Sequence, residues 1–141
     1  MRLAVVASIF SFFIYSFASV TDCSNGYSLF KLSSMSFSPD PTVPGQNSTL
    51  LLSMNVPEQV TYNAAATATY STTYNFIPFT PTVDQLCDVT VPCPIKVGIL
   101  DTYSTFPIDP TLSGTLQLKI EWKDSRQLLC VLIKTKLGTS V

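Results

Sequence analysis

Four cysteines (Cys23, Cys87, Cys93 and Cys130), nine carboxylates and a supply of hydroxyls and lysines are the reactive side chains of this chain, which has no histidine. Nucleophile pairs of the Ser-His and Cys-His kinds are therefore ruled out, because each needs an imidazole to take the proton. No Gly-x-Ser-x-Gly turn and no Gly-rich phosphate loop occurs either. Glycoside hydrolysis asks for less, two carboxylates roughly 5 to 9.5 Å apart. Asp84 and Asp88 are the nearest such pair, but they stand in a Pro-rich stretch, where Asp commonly forms solvated turns. Asp40 and Asp109 each precede a proline alone, whereas calcium needs several convergent oxygens. The expectation is a protein that is not an enzyme, with no catalytic residue, no metal and no cofactor.

The cysteines have a different use. They are even in number, none belongs to a Cys-x-x-Cys pair, and no histidine could complete a zinc site. Four cysteines allow three pairings. Spacing favours Cys87 with Cys93, which bracket five residues including Pro92, and this leaves Cys23 for Cys130. Such bridges form in oxidising compartments. The N-terminus agrees, since Arg2 is followed by an apolar run from Leu3 to Tyr15 and then by Ser16-Phe17-Ala18. That layout is a secretory signal with cleavage after Ala18, and the run falls short of the roughly 20 residues that span a bilayer. Residues 1–18 are thus read as signal and 19–141 as a single domain. The expected location is the extracellular space or an endosomal or lysosomal lumen.

Removing Arg2 leaves seven basic and nine acidic residues, a net charge of −2. Without clustered Lys/Arg there is no footprint for nucleic acid. The same lack makes any membrane contact weak and transient. A monomer is expected.

The elements that must hold these residues are strands, because period-two alternation dominates the chain. Phe30 to Phe37 has strand composition, and a loop containing Pro41, Pro44 and Gly45 follows, carrying the glycosylation sequon Asn47-Ser48-Thr49. Leu50, Leu52, Met54 and Val56 then share an inward face. From Val60 to Ser71 the inward set is Val60, Tyr62, Ala64, Ala66, Ala68 and Tyr70. Phe76 to Pro94 reads as an edge or loop, and Ile95 to Tyr103 as a strand. After turns at Phe106-Pro107 and Asp109-Pro110, Leu116, Leu118, Ile120 and Trp122 alternate with polar residues. A polar turn at 123–126 leads to a last strand, Leu128 to Leu137. About seven strands of this kind, tied first to last by a bridge, predict an all-β, immunoglobulin-like sandwich.

The alanines point beyond ordinary packing. A sandwich gap of about 10 Å is normally filled by large interdigitating side chains. Alanines in the middle of a strand leave room that is either filled from the opposing sheet and by residues such as Trp122, or left open for a lipid.

The sequence also resembles the ML family of lipid-recognition domains over Asp22 to Leu137. The residues that carry the resemblance are Asp22-Cys23, Ser38-Pro39-Asp40-Pro41, Pro44-Gly45, Cys93-Pro94-Ile95 with Gly98, Phe106-Pro107, and Glu121-Trp122-Lys123-Asp124 ahead of Leu129-Cys130. The resemblance implies two splayed sheets with lipid between them and the same two bridges that spacing favours. It departs from animal sterol carriers of the family in lacking a third bridge near Pro39 to Pro44.

The Ser-Pro-Asp-Pro and Cys-Pro-Ile segments look like those of family members that transfer phosphatidylglycerol and phosphatidylinositol. The implied cargo is therefore phospholipid, with sterol as the alternative. The resemblance puts Phe79 (or its neighbour Phe76) and Phe106 at the cavity mouth and Leu118, Ile120 and Trp122 inside. Together with Tyr62, Ala66 and Ala68 from the alternation, these are the expected lipid-binding residues. The function expected is intermembrane lipid transfer. A lipid-recognition or signalling module without transfer, and a hydrolase built on Asp84 and Asp88, are the readings of other classes.

Overall fold

The computed structural model describes residues 18–60, 66–87 and 93–137. Among them are nine strands: β1 (Ser19–Asp22), β2 (Lys31–Ser38), β3 (Asn47–Val56), β4 (Thr67–Tyr74), β5 (Ile77–Pro78), β6 (Thr82–Gln85), β7 (Gly98–Pro107), β8 (Gly114–Lys123) and β9 (Gln127–Leu137). The larger sheet runs β1-β9-β8-β4-β5, with β6 also paired to β4, and the smaller runs β2-β3-β7. Every named pairing is antiparallel, and the all-β sandwich is the fold observed.

Alternation decides which side chains enter the sandwich. On β3 the inward set is Ser48, Leu50, Leu52, Met54 and Val56, all buried. On β8 it is Leu116, Leu118, Ile120 and Trp122. The outward residues of β8 form a charge ladder, with Glu121 paired to Lys119 at 3.1 Å and to Lys123 at 2.9 Å. On β2 the register shifts between Leu32 and Ser34, so that Leu32 and Met35 fall opposite Met54 and Leu52 despite their odd spacing.

One flank of the sandwich is stitched shut by backbone. Cys23 N donates to Cys130 O at 3.1 Å, Leu29 N to Gln127 O at 3.0 Å and Phe30 N to Leu128 O at 2.9 Å, after which the chain enters the other sheet as β2. At the far end of β9, Thr42 bridges to Leu137, and its hydroxyl meets that of Thr135 at 2.8 Å. Among the described residues, no such backbone stitching runs along the opposite flank, where β4 faces β7. No inward residue of β7 is fully buried, and on β4 only Ala68 is. At its base the flank is held by the Val60 to Ile95 bridge and the Cys87–Cys93 disulfide.

Both disulfides pair as expected, Cys23 with Cys130 and Cys87 with Cys93. Several boundaries differ from expectation. The strand expected from Val60 to Ser71 is β4, which runs on to Tyr74, while Tyr62 and Ala64 lie outside the described residues. Phe106-Pro107 is not a turn but the end of β7, paired with Ser48 and Asn47. That strand begins at Gly98 rather than Ile95, because Ile95 is spent on its bridge to Val60. The sequon likewise opens β3 instead of lying in a loop, with Asn47 exposed and Ser48 buried. The Pro-rich stretch holds two short edge strands, β5 and β6, which raises the count from seven to nine.

Candidate functional site

The inward residues of the larger sheet fall into rows across β4, β8 and β9. Ala68, Trp122 and Leu129 form one row, Tyr70, Ile120 and Val131 the next, then Thr72, Leu118 and Ile133, then Tyr74, Leu116 and Thr135. The first rows are tightly filled. Ala66 and Ala68 are fully buried, and Phe30 stands edge-on to Trp122 with ring centroids 6.4 Å apart. Of the two arrangements the alanines allowed, the filled one therefore holds at that end.

Packing is not continuous to the other end. The buried apolar residues divide into a main cluster, whose last row contains Leu118 and Ile133, and a small one of Ile108, Leu116 and Leu137 with Tyr74 and Leu112 packed against it. Between them lies a cavity of about 190 Å³, lined by Thr72, Leu116 and Leu118 from the larger sheet, Phe106 and Pro107 from the smaller, and Ile108 and Leu112 from the segment joining β7 to β8. Its only polar side chain is that of Thr72, and none is charged. A wall of this composition offers dispersion and apolar contact rather than acid, base or metal chemistry.

That volume is below the roughly 300 to 1,000 Å³ common for ligand pockets, so a larger guest requires the sheets to part. The half-exposed β4–β7 flank is where they can, and edge-on contact of Tyr70 with Phe106, centroids 6.3 Å apart, spans it at this level. Two larger depressions lie elsewhere and share no lining residue with this cavity: about 440 Å³ along Cys93 to Val97 with Ile99 and Leu100, and about 320 Å³ across β2, β3 and β7 at Ser34, Leu51 and Asp101.

The segment that covers the cavity is pinned at each end. Gly45 N donates to Ile108 O at 2.8 Å, and Thr111 donates to Asp109 Oδ1 from its N at 2.7 Å and its hydroxyl at 2.6 Å. Those two bonds hold the Asp109 carboxyl below the usual range. Across the β4–β5 turn, Asn75 accepts from Thr115 N at 2.8 Å and donates to Ser113 O at 3.0 Å. Gly114 makes this possible, since with φ near +99° a Cβ there would run into the Asn75 amide.

Of the expected lipid-binding residues, Phe106 and Leu118 line this cavity. Ile120 lies one row deeper, and Trp122, Ala66 and Ala68 belong to the filled end. Phe76 and Phe79 do not line it: they are 90 % and 53 % exposed at the turn after β4 and just beyond β5. Tyr62 lies outside the described residues, as does Asp88, and Asp84 sits half-buried on β6 opposite Ala68. The residues not anticipated are Thr72, Leu116, Pro107, Ile108 and Leu112. Thr72 and Leu116 extend alternations already recognised, whereas Ile108 and Leu112 are hidden among prolines that signal only a turn.

A family model described as the ML domain matches residues 18–137. No curated protein sequence matches the chain. Among solved structures, a Niemann-Pick type C2 protein from the Japanese carpenter ant superposes with a TM-score of 0.63 at 18 % identity, covering 85 % of this chain and 99 % of that one. Chicken MD-1 complexed with lipid IVa gives 0.59 at 12 % identity, covering 84 % and 88 %. The C-terminal domain of wzt gives 0.54 at 10 % identity, covering 88 % and 80 %. These likenesses concern the fold.

Proposed function

The chain belongs to the ML domain family, and from that premise we propose that it binds a lipid between its two sheets and carries it through water from one membrane to another. The observation that carries the proposal is the split core, an uncharged cavity between two apolar clusters beside a half-exposed flank spanned by the Tyr70–Phe106 contact. That the structurally similar MD-1 is complexed with lipid IVa supports a lipid as the guest. The two disulfides suit an oxidising secretory compartment, outside the cell or in an endosomal or lysosomal lumen. Asn47, exposed at the start of β3, is then open to glycosylation.

The energetics favour a shuttle. A buried methylene is worth about 0.8 kcal/mol in either a bilayer or an apolar cavity, so exchange between them is nearly neutral. Releasing a sixteen-carbon chain into water would cost about 13 kcal/mol at that rate, and the protein's contribution is to avoid that state by transient contact with the membrane surface. Family resemblance ranks phospholipid first as cargo and sterol second.

The experiment is native mass spectrometry of the secreted protein for co-purifying lipid, followed by vesicle-to-vesicle transfer. Thr72→Phe, which fills the cavity from the half-exposed flank, is expected to leave the melting temperature within a few degrees and reduce lipid uptake about tenfold or more. Full uptake by this folded variant would sink the assignment. Lipid bound by the wild type without spontaneous transfer would favour a recognition module instead.

A further inference from the structure

The inward face of β3 reads Ser48, Leu50, Leu52, Met54 and Val56, and its one polar member has no hydrogen-bond partner. Ser48 is 0 % exposed, and its cross-strand neighbour on β7 is Phe106, which lines the cavity. A buried hydroxyl without a partner costs about 1 to 3 kcal/mol by mutational measure, whereas an alanine at the same place costs nothing of the kind. Among the described residues, Ser28 Oγ and Trp122 Nε1 are also buried without partners, but Trp122 belongs to the filled end of the core and Ser28 joins the segment packed on the start of β9, away from the cavity. Ser48 alone of the three is the cross-strand neighbour of a residue that lines the cavity.

We propose that Ser48 is a specificity residue of the cavity: it receives a single uncharged hydrogen-bonding group, of the kind carried by a long-chain alcohol or a sterol, on the buried end of the lipid. The inference rests on the lipid-binding reading and deepens it. The absence of any charged side chain from the cavity wall is what makes the buried group neutral, since a phosphate taken to that depth would be desolvated with nothing to offset it. A phospholipid could present only an ester carbonyl there, with its phosphate left at the opening.

The test compares uptake from neutral vesicles of two matched pairs, 1-hexadecanol against hexadecane and cholesterol against its 3-deoxy analogue, by the wild type, Ser48→Ala and Ser48→Cys, with bound ligand counted by native mass spectrometry. The wild type is expected to prefer the hydroxyl-bearing member about three- to tenfold, in line with one net hydrogen bond. Ser48→Ala should lose the preference while binding the deoxy member at least as well, and Ser48→Cys, with a weaker donor of similar size, should fall between. The ligand-free Ser48→Ala protein should melt no lower than the wild type. A preference that survives in Ser48→Ala, or a melting temperature several degrees lower, overturns the role of Ser48 while leaving lipid binding in place. If the wild type takes up neither member of either pair yet still carries phospholipid, the role of Ser48 fails while the lipid-carrier reading stands; if it takes up no lipid at all, both fail.

Discussion

Ala68 shows how much a single side chain depends on what stands beside it. Its alternation with Ala66 suggests an open floor, yet its cross-strand neighbour is Trp122 and both alanines are wholly enclosed. Ala68→Phe should therefore overpack the filled end of the core and cost about 1 to 3 kcal/mol, read as a lower urea midpoint. A Phe at Thr72, only two rows away on the same face of β4, should be tolerated because that position lies half-exposed beside the cavity. If Ala68→Phe instead kept full stability and lost lipid uptake, the cavity would have to extend over the alanines. The residue types at 66 and 68 were plain in the sequence. What filled the space above them was not, because Phe30 arrives from a segment 38 residues earlier than Ala68 along the chain.

At the scale of elements, the turn between β4 and β5 stands out. Asn75 and Phe76 both have positive φ, 47° and 66°, a region that costs a bulky residue like Phe. The turn persists because Asn75 is bound on both sides to the segment 113–115, and the result is that Phe76 projects into solvent with Ile77 and Phe79 also exposed. No charged residue occurs from Tyr74 to Val83, so this tip suits the apolar upper layer of a membrane better than an anionic lipid surface. Phe76→Ser combined with Phe79→Ser is expected to slow vesicle-to-vesicle transfer at least tenfold while leaving the lipid bound at equilibrium unchanged. An unchanged transfer rate would remove the tip from the docking step. The aromatics were visible in the sequence, but their direction was not, since it follows from a left-handed turn held by contacts 38 to 40 residues away.

For the molecule as a whole, the two flanks divide the labour between rigidity and access. The closed flank carries the Cys23–Cys130 bridge, which spans 107 positions, and the open one carries Cys87–Cys93, which spans six. In the chain-entropy account the long bridge is worth about 5 kcal/mol and the short one about 2. Replacing Cys23 and Cys130 together by serine should therefore lower unfolding stability about twice as much as replacing Cys87 and Cys93, measured by urea denaturation of each folded variant. The short bridge should matter more for lipid retention, because it secures the base of the flank through which a guest would pass.

The pairing of cysteines, the lack of histidine and the identity of most strands could be read from the sequence alone, because each depends on composition or local pattern: a spacing, an alternation. The strand ends at Phe106-Pro107 and Gly98, the shift on β2 and the two edge strands in the Pro-rich stretch could not, because long-range pairing overrides what proline and glycine signal locally. The cavity belongs wholly to the tertiary structure. It exists because Ile108 and Leu112, carried on a loop, form a second small core with Leu116 and Leu137 instead of joining the first, and a gap between two clusters is a property of neither.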